Sequence, residues 1–154
     1  MNHFQSHSSV IKTTRARFVL GDVRAALRYF ASNPIDIEFR HLVVLCCTLI
    51  RTVGDAVKKE NKDNRRCQAK ARQYFELHIK NDPLFIDFIK SMRDNIQHEY
   101  TASVSWASIT DINDAHRMEY RIKSGRYEDE DFRDLMTKAI DFWEGHLDQM
   151  EKIT

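Results

Sequence analysis

Apolar residues recur at three- and four-residue steps along most of the chain, and this spacing is typical of amphipathic helices. The clearest run follows Pro83 and places Phe85, Phe88, Ile89, Met92 and Ile96 on one helical face. Residues 42–47 are apolar nearly all round, which indicates the most buried member of a bundle or half of an interface. The pattern predicts helices over about residues 9–31, 36–61, 63–80 and 128–152, and another from Pro83 into the residues after 90. Within these helices it places Leu77 and Trp143 in the core, and His146 at the surface or in an interface.

Turn signals separate these helices. Asn33 precedes a proline and is therefore disfavoured in helical geometry, while Asp82 can cap a helix whose first turn holds Pro83. Residues 101–110, rich in Ser, Thr and β-branched side chains, predict a loop or short extended segment. Residues 111–123 predict a short helix, stopped by Gly125. The expected fold is all-α, an up-and-down helical bundle of four long helices plus a short additional helix.

The length and composition of the chain are those expected of a single folded domain. The 154 residues are 42% hydrophobic and 31% charged, with only four Gly and two Pro. So few chain breakers favour long helices over a many-turned β-fold. We expect a flexible leader at residues 1–8 and a single helical domain over residues 9–154.

Charge is unevenly distributed, although the formal net charge is only +1. Residues 128–151 are mainly acidic, and the candidate nucleic-acid-binding residues form a basic segment: Lys58, Lys59, Lys62, Arg65, Arg66, Lys70 and Arg72. The two segments either form a dipolar surface that steers an anionic ligand or are simply two solvated helix faces.

The sequence does not indicate a membrane-spanning protein, a secreted protein, or a site for a cofactor or metal. No apolar run is long enough to span a bilayer, and the N-terminus does not resemble a secretory signal. Adjacent Cys46 and Cys47 lie in an apolar helix, so we expect core packing in a reducing, cytoplasmic compartment. The sequence has no phosphate-binding glycine motif and no closely spaced metal-ligand pairs, so no cofactor or metal is expected.

Residues 93–100 read Arg-Asp-Asn-Ile-Gln-His-Glu-Tyr, directly after the apolar run. A histidine such as His98 can accept or donate a proton near neutral pH. The guanidinium of Arg93 matches phosphate oxygens, and Asn95 can bind a phosphate or orient the imidazole. This set suits RNA cleavage by its own 2′-hydroxyl, because that reaction needs proton transfer and a cation beside the phosphate.

The spacing Arg-x4-His followed by Tyr100 resembles the R-x4-6-H motif of HEPN domains, and is closest to HEPN toxins paired with nucleotidyltransferase antitoxins. The resemblance covers this octapeptide by residue and the helices by arrangement only. It implies an HEPN-like bundle, RNA as substrate and a homodimer with a composite cleft. It also implies Arg93 and His98 as the catalytic pair, with Asp94 and Asn95 in support. Tyr100 matches the tyrosine that partner nucleotidyltransferases modify with AMP.

The spacing also has a geometric consequence. Five residues of ideal helix turn through roughly 140°, so Arg93 and His98 do not share one face. Either the helix ends around Gln97, or two chains combine to form the site. Asp94 departs from the family pattern, in which Asn or His is frequent, and its carboxylate can pair with Arg93 and repel phosphate.

The leading expectation is a metal-independent endoribonuclease of HEPN type that cleaves RNA at a dimer-interface cleft, as a toxin or phage-defence effector. The alternative is a non-catalytic HEPN-like helical module that binds a nucleotide or a partner protein. A third hypothesis is a regulatory helical protein that contacts nucleic acid through the basic segment.

Overall fold

The computed structural model describes residues 9–99, 103–113 and 115–154, and the chain there is mainly helical. In chain order the helices are α1 Thr14–Arg28, α2 Asp36–Glu60, α3 Arg65–His78, α4 Ser91–Glu99 and α5 Phe132–Glu151. A 3₁₀ turn, Tyr29–Ser32, follows α1, and a π-helical turn, Phe85–Lys90, leads into α4. Two strands, β1 Val104–Thr110 and β2 His116–Ile122, lie between α4 and α5.

The first two helices form a hairpin. Asn33 adopts a left-handed conformation (φ 55°) directly before Pro34, so the helix ends where the sequence predicted. At the other end of the pair, buried Asn61 donates to the carbonyls of Lys12 and Val57, both at 2.8 Å. The Asn61 Oδ1 accepts from the Lys12 N–H at 2.9 Å. One amide side chain thus joins the residues before α1 to the end of α2.

The final helix contributes its apolar face to the hydrophobic core. Asp131 caps α5 by accepting from the backbone N–H groups of Arg133 and Asp134. Trp143 is fully buried, and a Cβ atom at Gly54 of α2 would lie 3.3 Å from its ring. Cys46 and Cys47 are buried and unbridged, and burial raises the pKa of the Cys46 thiol to about 12. The core positions predicted for these cysteines and for Trp143 are confirmed.

The short helix predicted over residues 111–123 is wrong. Residues 116–122 form β2, paired antiparallel with β1 from Val104 opposite Ile122 to Thr110 opposite His116. Met118, Tyr120 and Ile122 alternate with charged residues, a two-residue period that fits a strand with one covered face. The described chain therefore has five α-helices and a hairpin, not four long helices plus a short one. Residues 101–110, predicted as loop or extended, contribute β1.

The base of the hairpin is attached to the helices. Tyr120 is fully buried, its hydroxyl donates to the Pro34 carbonyl at 2.9 Å, and its ring stacks on Phe39 at 5.4 Å. This contact places the base of the hairpin beside the first turn of α2.

Smaller differences concern helix ends and faces. The first helix begins at Thr14, although Ile11 before it is already buried. In α3 the predicted inward position of Leu77 is wrong, since this side chain is 69% exposed. Leu45 in the apolar middle of α2 is also exposed. Among the described residues, none of the helices has the length and apolarity needed to cross a membrane.

Candidate functional site on helix α4

The polar residues of the octapeptide lie on the solvent side of α4. Met92 and Ile96 face the core, since Met92 is buried and Ile96 packs against the core cluster. At roughly 100° per residue, the opposite side of the helix presents, in angular order, Arg93, Gln97, Asp94, His98 and Asn95. We call Arg93, Asp94, Asn95 and His98 the α4 polar face, although these four residues span roughly 200° around the helix axis. Asp94 lies between Arg93 and His98, which sequence spacing alone does not make obvious.

Arg93 and Asp94 form an ion pair. Arg93 Nη1 lies 3.5 Å from Asp94 Oδ1, and each side chain is 37% exposed. The guanidinium therefore leans from its own side of the helix toward the side that carries His98. A phosphate that approaches Arg93 meets the carboxylate of Asp94 at the same place.

Asn95 connects α4 to the hairpin. Its Nδ2 donates to Ser103 Oγ at 3.2 Å, and the Ser103 carbonyl accepts from the Lys123 N–H at 2.9 Å. The amide of Asn95 is thus used in part to hold the end of α4 against the start of β1. His98 is exposed, and within the described residues no hydrogen bond or ion pair holds its ring. Its imidazole is therefore accessible to solvent.

The helix α4 continues to Glu99, two residues beyond the end that was predicted around Gln97. Arg93 and His98 both lie within it and are roughly 140° apart around its axis. The second arrangement predicted from the spacing, a site that combines two chains, stays a prediction. Tyr100 and the leader at residues 1–8 lie outside the described residues.

The basic segment lies toward the other end of α2. The turn before α4 packs near the C-terminal half of α2, where the Arg51 guanidinium is 5.2 Å from the centre of the Phe85 ring. The hairpin that follows α4 contacts the first turn of α2 through Tyr120 and Phe39. Lys58 is roughly 28 Å further along the axis of α2 than Phe39, at 1.5 Å per residue. No hydrogen bond or ion pair among the described residues joins the basic segment to the α4 polar face.

The members of the basic segment differ in exposure. The exposed ones are Lys58, Lys59, Lys62, Arg65, Arg66 and Arg72. The ammonium of Lys58 lies 5.4 Å from the centre of the Phe75 ring. Lys70 Nζ is shielded from solvent and has no hydrogen-bond partner among the described residues. As placed, Lys70 does not present its charge to a ligand.

The acidic segment is partly paired with α1. Arg17 contacts Asp148 at 2.7 Å and Glu151 at 2.8 Å, and Arg24 contacts Glu144 at 2.7 Å. These ion pairs join α1 to α5, so part of the acidic charge on α5 serves helix packing.

Two groups of residues were missed by the sequence reasoning. A cleft of about 540 Å³ lies between β2 and the start of α5, with Arg117, Arg121 and Arg133 facing Glu119 and Asp131 among its lining residues. Because both signs of charge line it, the cleft does not select an anion by charge. The alternation of charged and apolar residues in β2 was the signal that could have found it.

The second group is a half-buried pair on α3 and α5. The Tyr74 hydroxyl lies 2.7 Å from His146 Nδ1, and Phe142 packs on the imidazole at 4.4 Å between ring centres. Burial lowers the pKa of His146, the charge of His78 acts in the same direction, and Asp82 opposes both. Sequence reasoning treated His146 as a surface or interface residue. Across the described residues, no group of three or more His, Cys, Asp or Glu side chains is arranged to hold a metal ion.

Comparison of the chain with protein-family models, with curated proteins and with solved structures finds no match. The case for a function therefore depends on the α4 polar face and on the chemistry of its side chains.

Proposed function

We propose that this chain is a metal-independent endoribonuclease of HEPN type. The observation that carries the proposal is the order of side chains on the solvent side of α4, where an imidazole, a carboxamide and a guanidinium stand within two turns of one helix. These are the groups that cleavage of RNA by its own 2′-hydroxyl requires. A histidine moves protons, and a cation stabilises the charge on the phosphate in the transition state.

The reaction proceeds by attack of a ribose 2′-oxygen on the adjacent phosphorus. The His98 imidazole removes the 2′-hydroxyl proton as the new O–P bond forms, and the bond to the 5′-oxygen breaks. A protonated imidazole supplies the proton that the leaving 5′-oxygen needs. The products are a 2′,3′-cyclic phosphate and a 5′-hydroxyl. Arg93 stabilises the negative charge that develops on the non-bridging oxygens.

A homodimer completes this site in the proposal. Arg93 and His98 stand roughly 140° apart on α4, so one helix does not turn both toward a single phosphate. If two α4 helices face each other, His98 of one chain can meet Arg93 of the other in a composite cleft. The second chain also brings a second imidazole, so one can act as base and the other as acid.

The resemblance to HEPN toxins extends the proposal to a biological role, that of a toxin or phage-defence effector. In that case a nucleotidyltransferase antitoxin would attach AMP to Tyr100, two residues after His98 in the chain. The added nucleotide would occupy space that RNA needs near the imidazole.

The test is incubation of purified protein with single-stranded RNA in the presence of a chelator. We expect cleavage that leaves cyclic phosphate ends and that is lost in His98→Ala and Arg93→Ala. His41→Ala is the matched control, because His41 is an exposed histidine on α2. Absence of cleavage by the wild-type chain contradicts the proposal, and so does cleavage that survives His98→Ala.

The second candidate is a non-catalytic HEPN-like module that binds a nucleotide or a partner protein. The Arg93–Asp94 ion pair favours it, because a partly neutralised guanidinium stabilises the additional charge of the cleavage transition state less well than a free one, and that charge does not arise when a nucleotide only binds. Calorimetry with ATP in the absence of RNA turnover is the measurement. Binding that is lost in Arg93→Ala, together with intact RNA, supports the module over the nuclease.

A further inference from the structure

One edge of β1 carries unpaired backbone groups. Outside the strand ends, the Ser103 carbonyl accepts from the Lys123 N–H, and the Asp111 N–H donates to the Ala115 carbonyl. Hydrogen-bonded pairs alternate along an antiparallel ladder, so residues 105, 107 and 109 also bond toward β2. The N–H and C=O groups of residues 104, 106, 108 and 110 therefore point away from β2, and no third strand joins the sheet in the described residues.

The opposite edge of the hairpin is paired at the base of β2. The Ile122 N–H donates to the Glu130 carbonyl at 3.0 Å, and the Asp129 N–H donates to the Ile122 carbonyl at 2.9 Å. Arg121 and Asp131 form a further β-bridge. In the described part of the chain, residues 129–131 thus occupy the edge of β2 at its base, whereas the edge of β1 is open along the strand.

This open edge lacks the features that prevent an edge strand from pairing with a strand of another chain. Natural edges are protected by lysines, prolines, bulges or a covering segment. The seven residues of β1 read Val-Ser-Trp-Ala-Ser-Ile-Thr, without charge, proline or glycine. Its middle residues Trp106, Ala107 and Ser108 are exposed, whereas the charges of the hairpin lie on β2.

We propose that the edge of β1 pairs with β1 of a second copy of this chain. The two strands run antiparallel about a two-fold axis at Ala107, which gives a continuous four-stranded sheet. In this register Trp106 of one copy stands opposite Ser108 of the other, and both residues direct their backbone groups across the new interface. The inference is independent of the proposed RNA cleavage, because it uses no residue of the α4 polar face.

Two observations favour a second copy over a different protein. An antiparallel two-fold pairing uses the open edge of both chains, so this interface is isologous and joins two copies. Residues 129–131 hinder addition at the base of β2. A strand that meets its own copy also places like residues near one another, and like charges directly opposite are destabilising. The absence of charge in β1 removes that penalty.

The first test measures molar mass by light scattering at micromolar concentrations. Ser108→Pro removes an outward N–H and places a ring at the open edge, without touching the bonds to β2. We expect this variant to have a lower molar mass than the wild-type chain, and half of it when β1 is the interface that holds the wild-type pair together. Ser108→Lys should act in the same direction. Ile112→Lys is the control, since Ile112 is fully exposed beyond the end of β1.

The second test uses cross-linking. At the axis the two Ala107 residues form a non-hydrogen-bonded pair, with Cα atoms about 4.5 Å apart, which is within disulfide reach. Mild oxidation should therefore join Ala107→Cys into a covalent dimer far more than Ile112→Cys. The native cysteines are buried and do not compete. A monomeric wild-type chain overturns the proposal. It does so even if β1 of that monomer binds an unrelated extended peptide. An oligomer whose mass Ser108→Pro leaves unchanged, or equal cross-linking of the two cysteine variants, also overturns it.

Discussion

Asp94 lies between Arg93 and His98 on α4, and its Oδ1 is 3.5 Å from Nη1 of Arg93. The carboxylate therefore competes with any phosphate for the guanidinium. At the same time, the ion pair draws the cation toward the side of the helix that carries the imidazole. Asp94 is thus the residue through which the nuclease and the binding module can be distinguished.

Replacing Asp94 by Asn tests this relationship. The amide keeps the size of the side chain and removes its charge, so Arg93 becomes free to bind phosphate. Exposed ion pairs contribute at most about 1 kcal/mol, so we expect kcat/KM for RNA cleavage to rise by about two- to fivefold. Asp55→Asn is the control, an exposed aspartate on α2. A fall in kcat/KM would instead show that the carboxylate positions the catalytic groups.

A second prediction concerns Gly54 and Trp143. An alanine at position 54 gains about 1 kcal/mol of helix propensity, but its Cβ would lie 3.3 Å from the buried indole. Overpacking of a core costs about 1–3 kcal/mol, so we expect Gly54→Ala to lower the free energy of unfolding in urea. Gly145→Ala, on α5 with no atom within 4 Å of its added Cβ, should raise it by about 1 kcal/mol. If Gly54→Ala and Gly145→Ala raise the free energy of unfolding equally, the Trp143 indole moves away from the added Cβ at little energetic cost.

The pH dependence of stability should report on His146. Burial lowers the pKa of His146 in the folded chain below the ordinary value of 6.5, so folding favours the neutral imidazole. The stabilisation is complete above the unfolded pKa and is lost as the pH falls through the folded pKa, because the unfolded chain takes up the proton first.

Urea unfolding between pH 8 and pH 5 is the measurement. His146→Phe should lose stability at pH 8 because Tyr74 loses its hydrogen-bond partner, and this loss should shrink toward pH 5. His41→Asn, a change at an exposed histidine, should leave the wild-type pH dependence intact. A difference between wild type and His146→Phe that stays constant with pH would refute the assignment.

The last prediction concerns the start of α5. Asp131 accepts from two backbone N–H groups and pairs with Arg133 at 2.9 Å. Burial by itself raises the Asp131 pKa, but the hydrogen bonds and charge of Arg133 outweigh it and lower the pKa below 3.8. Loss of an N-cap typically costs about 1 kcal/mol, so Asp131→Ala should lower the free energy of unfolding at pH 7 by about that amount.

The effect of Asp131→Ala should fade in acid. The folded pKa is depressed, so the stabilisation is present above the unfolded pKa and is lost as the pH falls through the folded one. Asp141→Ala, at an exposed position inside α5, controls for loss of an aspartate without a cap. Equal destabilisation by the two variants would mean that the cap contributes little.

Much of the helical structure was predictable from local pattern. The second helix was predicted over residues 36–61 and is Asp36–Glu60 in the structure. Trp143 and the adjacent cysteines were placed in the core because they fall within apolar stripes. The hairpin was missed in part, because residues 111–123 contain enough apolar residues to fit a short helix as well as a strand. The two-residue alternation of Met118, Tyr120 and Ile122 was the better signal.

The sequence by itself determined the helices and the order of side chains around α4, because an α-helix is built from hydrogen bonds between residues four apart. Only the tertiary structure decided the rest. Strand β2 exists because β1 and residues 129–131 lie on its two sides, and a strand cannot satisfy its backbone groups alone. The open edge of β1 likewise depends on contacts between residues far apart in the chain.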